Sequence, residues 1–505
     1  MTVSVNIHGE SSNHESKHKA RDVPSTSIHY PATPAVVPVR RRLKRAARHE
    51  HALEGDSRTS ESGSPSTLGG EHDITSDEFE TTTDEHEMMD LRTLVKQRCP
   101  SLYKHFRPAW WLPNGHLQTV YAVLGDFSKV HRLQYRREFV RMKDGGTVGM
   151  DWAPADQLSV AVEAPIIVVK HGITGGSHEP YVRCILDTAT RSISQGGLGY
   201  RAVVCNFRGC AGVPITSPRL YSSGATDDLR QELAYIRSLY PNAPLIGLGF
   251  SLGANVLTRY VAEEGEESRL VAGCAVACPW DLLEDCNGLL STFLGTQVYS
   301  KGMARSLRRI VKRNKAAFAS GAEQAAAVEA ALKLKDPTLK VFDDHFTRFF
   351  GGASPMFPFD SAHAYYTGTS SHQAVRDIRV PFLALNAMDD PVVRKLPTLD
   401  GSDMVVLGVT RQGGHLAWFE AGKRPGETRR WMRQPVLEWL KVCGDDFVHQ
   451  AMKRKEREVV VVDGWVTEKG SADGGCKALP GSRIIDAHVD LSRREMLKNL
   501  ELEGL

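Results

Sequence analysis

The pentapeptide Gly249-Phe250-Ser251-Leu252-Gly253 constrains the fold of this chain more than any other stretch. It follows an apolar run at 245–248 and precedes an apolar, helix-compatible stretch at 254–261, which gives the order strand, sharp turn, helix. Such a turn leaves little room beyond glycine at its flanks, and it lifts the serine hydroxyl above the sheet. An ordinary glycine-rich turn between a strand and a helix has the same pattern, so the interpretation depends on the rest of the chain.

Apolar strands alternate with helical stretches on both sides of this turn. Further strand patterns lie at 165–169, 202–206, 270–277, 380–385 and 404–407. This alternation predicts an α/β fold with a mainly parallel sheet and helices on both faces. In such sheets ligands bind beyond the carboxyl ends of the strands. Ile173, Arg208 and Ser251 all follow strands, so we expect them at that edge.

The strand rhythm stops between about residues 280 and 366, where the composition predicts a helical cap inserted between two strands. Four phenylalanines lie in this segment, and the spacing of the first three places them on one helical face. They either line an apolar channel above Ser251 or pack the cap onto the core. The four are Phe342, Phe346, Phe349 and Phe350.

Composition divides the chain into three parts. Residues 1–90 are polar and poor in aromatic residues, which predicts a disordered N-terminal tail. Residues 91–445 carry the α/β pattern and form the predicted folded domain. Residues 446–505 are a polar C-terminal extension, in which the apolar run 459–462 adds either an edge strand or nothing.

Charge and cysteine content exclude several classes of function. A formal net charge of +3 on 505 residues gives no overall case for a nucleic-acid partner. The nine cysteines show neither CxxC pairs nor metal-ligand spacing, so we expect a reducing compartment, no metal and no cofactor. No signal peptide and no transmembrane segment are evident, which predicts an intracellular, cytoplasmic protein. The basic block 40–45 is a localisation signal, a contact for anionic lipid surfaces, or a solvated charge cluster.

An acid and a histidine follow the last two predicted strands. Asp389 and Asp390 come after the strand at 380–385, and His415 comes after the strand at 404–407. A serine becomes a nucleophile when a histidine takes its proton and a carboxylate orients that histidine. The chain order serine, acid, histidine therefore predicts the catalytic triad Ser251, Asp390 and His415. Asp390 is preferred because an apolar pair follows it closely, and Asp389 remains the alternative.

Two backbone N–H groups are expected to hold the oxyanion of the reaction. One belongs to Leu252, directly after the serine, and the other to the loop after His171-Gly172, which assigns it to Ile173.

Taken together, the motifs HGITGGS, RGC, GFSLGAN, NAMDDP, GGH and the early NGHLQT resemble the AB hydrolase 4 branch of the α/β-hydrolase superfamily. This branch holds bacterial YheT-like esterases and yeast medium-chain fatty-acid ethyl ester synthase/esterases. The resemblance covers about residues 91–443 and implies that Ser251, Asp390 and His415 match the family triad. Gly115 departs from it, since many relatives carry proline there. Animal relatives also have an N-terminal membrane anchor that is missing here, so membrane residence does not carry over.

The resemblance implies a serine carboxylic-ester hydrolase or acyltransferase that acts on medium-chain fatty-acyl or glycerolipid esters. The expected partner is a small-molecule acyl ester, with peripheral contact to lipid surfaces. The alternative is a non-catalytic ligand-binding protein on the same fold, because a fold does not determine a function.

Overall fold

The computed structural model describes residues 26–41, 86–319, 321–424, 426–452, 455–471 and 474–487. Its strands are β1 (Thr26–His29), β2 (Val36–Arg40), β3 (His86–Asp90), β4 (Gln134–Met142), β5 (Thr147–Ala153), β6 (Ile166–Lys170), β7 (Arg201–Asn206), β8 (Leu245–Phe250), β9 (Leu270–Val276), β10 (Phe382–Ala387), β11 (Val405–Thr410), β12 (Phe419–Ala421), β13 (Thr428–Arg430), β14 (Val459–Val462), β15 (Trp465–Glu468), β16 (Cys476–Ala478) and β17 (Arg483–Asp486).

The α-helices are interspersed with short 3-10 and π turns. They are α1 (Leu91–Arg98), α2 (Gly115–Leu124), α3 (Pro180–Ala189), α4 (Asp227–Leu239), α5 (Leu252–Glu264), α6 (Leu282–Leu290), α7 (Lys301–Arg313), α8 (Lys315–Phe318), α9 (Ala322–Lys333), α10 (Leu339–Phe342), α11 (Arg348–Phe350), α12 (Ala362–Thr369) and α13 (Arg433–Lys441).

A single large sheet organises the molecule. Strands β7, β6, β8, β9, β10 and β11 are adjacent in that order and run parallel. Every residue of β6 and β8 is buried, as expected for strands covered on both faces. On β6, Ile166 and Val168 join one hydrophobic cluster, whereas Ile167 and Val169 join another. Helices α4 and α5 contribute to the first cluster and α3 and α13 to the second. The predicted α/β class, with a mainly parallel sheet and helices on both faces, is confirmed.

Helices α6 to α12 lie between β9 and β10, where the sequence predicted the cap. Phe342, Phe346 and Phe350 are buried. Phe346 and Phe350 pack against Phe318, and Phe342 packs against Phe346. All four belong to the same cluster as one face of the sheet. Phe349 is more exposed, with the Arg348 guanidinium over its ring. The expectation that Phe349 shares a face with Phe342 is wrong, because a π turn at Asp343–Thr347 changes the helical phase. These rings pack the cap onto the core.

The prediction that residues 1–90 form a disordered tail is wrong in part, because this segment contains three strands. Strand β1 pairs antiparallel with β11 at the edge of the main sheet, and β2 pairs with β3 in a separate ribbon. Val37 and Val39 are buried in a core cluster. The apolar stretch at 35–39 is short, and the composition of residues 1–90 taken as a whole is polar. The sequence prediction therefore did not detect the strand. Residues 1–25 and 42–85 lie outside the described residues.

The C-terminal extension also adds to the sheet. Strand β16 pairs with β4, β15 with β16 and β14 with β15, and β17 pairs with a second stretch of β4. Of the two alternatives for the apolar run at Val459–Val462, an edge strand or nothing, the structure has the strand, β14, at the end of the sheet. Within the described part of the chain, no helix combines the length and apolarity needed to cross a bilayer.

Candidate active site

Ser251 lies at the turn between β8 and α5, with a backbone conformation of φ 50° and ψ −121°. Few non-glycine residues adopt a positive φ, and such strain is characteristic of functional turns. The flanking glycines are required by close packing. A Cβ at Gly249 would meet the backbone of Ala254, and one at Gly253 would overlap the carbonyl oxygens of Lys170 and His171. Helix α5 therefore starts directly against β6, and this contact forces the sharp turn.

Ser251, His415 and Asp390 form one continuous hydrogen-bonded chain. His415 Nε2 lies 2.8 Å from Ser251 Oγ, and His415 Nδ1 lies 2.8 Å from Asp390 Oδ2. Asp390 is fully buried, and its Oδ1 accepts from the backbone N–H groups of Val392 and Val393 at 2.8 and 3.1 Å. With Asp390 ionised, Nδ1 carries the proton and donates to it, which leaves Nε2 free to accept from the serine hydroxyl.

Asp389 has a different role from Asp390 in this geometry. Its Oδ1 accepts from the N–H of Gly414 at 2.9 Å, so it holds the loop before His415 rather than the imidazole. Burial raises the pKa of Asp389 above its ordinary value, and the neighbouring charge of Asp390 acts in the same direction. The structure thus places the preferred carboxylate, and not the alternative, beside the histidine.

The two expected oxyanion donors lie next to the serine. A Cβ at Gly172 would be 3.4 Å from Ser251 Cβ, so this loop borders Ser251. The neighbouring N–H groups of Gly172 and Thr174 donate to the hydroxyls of Tyr181 and Tyr221. Within the described ranges, no acceptor is bonded to the N–H of Ile173. The N–H of Leu252, in the first turn of α5, has no helical acceptor either. Both N–H groups can bind an oxyanion.

The buried imidazole of His171 fixes this loop. Its Nε2 accepts from the N–H of Phe207 at 3.2 Å, so its Nδ1 carries the proton and donates to the carbonyl of Gly172 at 2.8 Å. Burial lowers the pKa of His171 to about 3. His171 is therefore neutral near pH 7, and its two hydrogen bonds connect the loop after β6 to the loop after β7.

Helix α2 positions the histidine loop, a role that the sequence did not reveal for the NGHLQT stretch. The N–H of His415 donates to Thr119 Oγ1 at 2.9 Å, and the Thr119 hydroxyl donates to the carbonyl of Gly115. Gln118 is fully buried, and its amide bonds both backbone groups of Phe419. At Gly115 any Cβ would overlap the backbone oxygen of Asp389. The sequence signal for this role was the pair Gln118 and Thr119, two adjacent polar residues among the apolar residues of α2.

Cap helix α6 braces the loop that follows Asp390. Asp285 Oδ1 accepts from the N–H groups of Arg394 and Lys395 at 2.6 and 3.3 Å. Asp390 holds the two preceding N–H groups, so two carboxylates take four consecutive donors, 392 to 395. Asp281 adds an ion pair with the Lys395 ammonium at 2.9 Å. Burial raises the pKa of Asp285 to about 8. Sequence reasoning missed this brace, because a cap aspartate has no motif that links it to a distant loop.

Arg208, which also follows a strand, belongs to a structural ion cluster. Its guanidinium makes a bidentate contact with Asp228 at 2.7 Å and also bonds Asp144 and Ser217. All three of its nitrogens donate hydrogen bonds, so Arg208 links the loop after β7 to the start of α4. Across the described residues, no group of three or more His, Cys, Asp or Glu side chains is arranged to hold a metal ion.

Comparisons with known proteins agree with this geometry. A family model described as alpha/beta hydrolase fold matches residues 165–420. The chain is 30% identical over 391 residues to a monoacylglycerol lipase of Saccharomyces cerevisiae, covering 70% of this chain and 84% of that protein. It is 28% identical to the medium-chain fatty acid ethyl ester synthase/esterase 2 of the same yeast, covering 71% of this chain and 90% of that protein. It is 27% identical to phospholipase ABHD3 of Homo sapiens, covering 65% and 76%.

Proposed function

The chain belongs to the α/β-hydrolase family, and from that premise we propose that it hydrolyses fatty-acyl esters through an acyl-enzyme on Ser251. The observation that carries this proposal is the unbroken chain from Ser251 Oγ through His415 to Asp390, with both contacts at 2.8 Å. A serine, a base and a buried orienting carboxylate are the parts that nucleophilic acyl transfer requires.

In the acylation step Ser251 Oγ attacks the ester carbonyl carbon while its proton passes to His415 Nε2. The carbonyl oxygen becomes an oxyanion, which accepts from the N–H groups of Ile173 and Leu252. Collapse of this intermediate breaks the bond to the alcohol oxygen, and His415 returns the proton to the leaving alcohol. While His415 carries the proton, the Asp390 carboxylate balances the imidazolium charge. Asp390 Oδ1 in turn accepts from the N–H groups of Val392 and Val393.

Deacylation repeats the same steps with a new nucleophile. Water gives up a proton to His415 and attacks the acyl-serine, which releases the fatty acid and restores Ser251. An alcohol in place of water yields a new ester by the same route. Hydrolysis and acyl transfer thus use one set of residues, and the acceptor present determines the product.

The names of the relatives support a lipid ester as substrate. They are a monoacylglycerol lipase, a medium-chain fatty acid ethyl ester synthase/esterase and a phospholipase. The first two names specify esters of fatty acids, and the third specifies phospholipids. We therefore propose medium-chain fatty-acyl or glycerolipid esters as the substrate class, met at a lipid surface by peripheral contact. The nine cysteines are all buried thiols, which supports work in a reducing, intracellular compartment.

Purified full-length protein, its Ser251→Ala variant and a panel of p-nitrophenyl esters from acetyl to dodecanoyl test this proposal. We expect hydrolysis by the wild type, and a loss of about 10⁴-fold or more in kcat for Ser251→Ala, because only binding and oxyanion effects remain. Ser101→Ala is the matched control, since this hydroxyl hydrogen-bonds Glu438 of helix α13 and not a member of the triad. Unchanged turnover in Ser251→Ala would contradict the mechanism. A profile that falls steadily from acetyl onward would contradict the fatty-acyl assignment alone.

A further inference from the structure

Helix α2 has the reverse of the usual amphipathic arrangement. Its buried residues are Gly115, Gln118 and Thr119, which hold the histidine loop. Its exposed residues are apolar: Leu117, Val120, Val123 and Leu124, of which Val123 is 74% exposed. A helix at a water-facing surface normally shows the opposite pattern. The buried polar face is explained by the active site, and the exposed apolar face is not.

A second exposed apolar segment lies beside α2. It follows α6 in the cap and contains Phe293, Leu294 and Val298, of which Phe293 is 77% exposed. The two segments are joined where the His116 ring stacks on Tyr299, with ring centroids 5.8 Å apart and a hydrogen bond of 3.0 Å.

Met388 connects this surface to the triad. Its side chain is 71% exposed, and it directly precedes Asp389, whose backbone packs against Gly115 at the start of α2. We call the surface formed by α2, residues 293–298 and Met388 the apolar face. Helix α2 and Met388 adjoin the loops that carry Asp390 and His415.

Apart from Met388, the apolar face lies on two stretches of chain without charged side chains. Residues 108–125 and 286–300 contain no Asp, Glu, Lys or Arg. Transfer of such segments into a low-dielectric medium carries no cost for burying a charge. The nearby cation is Arg394, which is exposed and lies within electrostatic reach of the Tyr299 hydroxyl. An uncharged apolar surface with a cation at its margin matches the acyl region and the anionic headgroups of a lipid interface.

We propose that the apolar face docks the protein on a phospholipid bilayer, with its active-site loops turned toward the lipid. This inference rests on the proposed lipid-ester activity for its biological role, because an esterase docked on a bilayer meets its ester lipids there. The physical argument for docking rests on the exposed, uncharged surface and the cation at its margin. A bilayer explains why the two leucines and two valines of α2 face outward.

The test uses the full-length protein with vesicles of phosphatidylcholine, and with vesicles that also contain phosphatidylserine. Binding is measured by flotation for the wild type, for Val123→Glu and Phe293→Glu, and for the control Leu158→Glu. Leu158 is apolar and 97% exposed but lies in a 3-10 turn outside this surface. We expect each of the first two substitutions to weaken vesicle partitioning by about tenfold or more, with Leu158→Glu unchanged. Thermal unfolding verifies that all variants fold.

Two activity measurements separate this proposal from the proposed function. With a water-soluble butyryl ester, all three variants should keep wild-type turnover, whereas with a medium-chain glyceride held in the vesicles Val123→Glu and Phe293→Glu should lose it. Wild-type protein that floats with vesicles but hydrolyses neither ester would overturn the esterase and leave docking intact. Equal flotation of all variants would overturn docking. So would a concentration-dependent dimer abolished by Val123→Glu without any vesicle binding, which would assign the face to a second copy of the chain.

Discussion

At the scale of single residues, the two adjacent carboxylates have separable roles. Asp390 Oδ2 contacts His415 Nδ1 at 2.8 Å, whereas Asp389 Oδ1 accepts one backbone N–H from Gly414. An amide at position 390 would offer an N–H to the imidazole and stabilise the wrong tautomer. An amide at position 389 still has an oxygen that can accept from Gly414.

We therefore expect Asp390→Asn to lower kcat by about 10⁴-fold, as for an orienting triad carboxylate, and Asp389→Asn to lower it by less than about tenfold. Steady-state hydrolysis of a soluble ester by the two variants checks this ranking, with thermal unfolding as the control for folding. If Asp389→Asn is the more damaging substitution, the acid of the triad is wrongly assigned.

At the scale of secondary-structure elements, the brace from α6 links the cap to the catalytic acid. Asp285 holds the N–H groups of Arg394 and Lys395, directly after the pair that Asp390 holds. Loss of this carboxylate leaves two donors of the loop without their acceptor, and small displacements of a catalytic group cost up to about a hundredfold in rate.

We expect Asp285→Ala to lower kcat by about tenfold to a hundredfold with little change in KM, because the loop and not the substrate loses its support. Asp285→Asn should restore most of the activity, since its amide oxygen accepts the same N–H groups. Glu284→Ala, an exposed neighbour on α6, is the matched control. Equal kcat for Asp285→Ala and the wild type would show that the brace does not position Asp390.

The elements that the sequence predicted well are those with strong local patterns. The buried strands around Ser251 appear as continuous apolar runs, and the predicted strand at 202–206 is observed as β7 at Arg201–Asn206. The phase of the cap helices was not predictable, because a π turn at Asp343–Thr347 depends on tertiary packing. The same limit applies to Thr119 and Asp285, whose partners are distant in sequence.

At the scale of the whole molecule, two buried cap carboxyls make stability depend on pH. Burial raises the pKa of Asp285 to about 8 and that of Asp343 to about 7, from an ordinary value of 3.8. Asp343 accepts from the hydroxyls of Thr347 and Tyr366, which offsets part of the cost of burial. The folded state thus keeps protons that the unfolded chain releases above about pH 4, so stability falls as pH rises toward these folded pKa values.

We expect the free energy of unfolding to decrease between about pH 5 and pH 8, and Asp343→Asn to decrease less over this range because it has no proton to lose. Denaturant unfolding of both proteins across this range measures the difference. Parallel curves for the wild type and Asp343→Asn would contradict the raised pKa of Asp343.

The ends of the chain were the part of the molecule least accessible to sequence reasoning. Strands β1 and β14 to β17 extend the sheet at both edges, although the segments around them are polar. Edge strands are short and bury one side at most, so their sequences contain little periodic signal. The proposed catalytic residues were accessible to sequence reasoning because each follows a strong central strand.

The central claim is that Ser251 is the nucleophile, and covalent labelling tests it most directly. Full-length protein is treated with a fluorophosphonate, which reacts with an activated serine, and the adduct is located by peptide mass spectrometry. We expect a single adduct on Ser251, loss of ester hydrolysis in proportion to labelling, and no adduct in the Ser251→Ala or His415→Ala variants. Ester hydrolysis that persists with Ser251 fully labelled, or an adduct on another serine that accompanies the loss of activity, would contradict the claim.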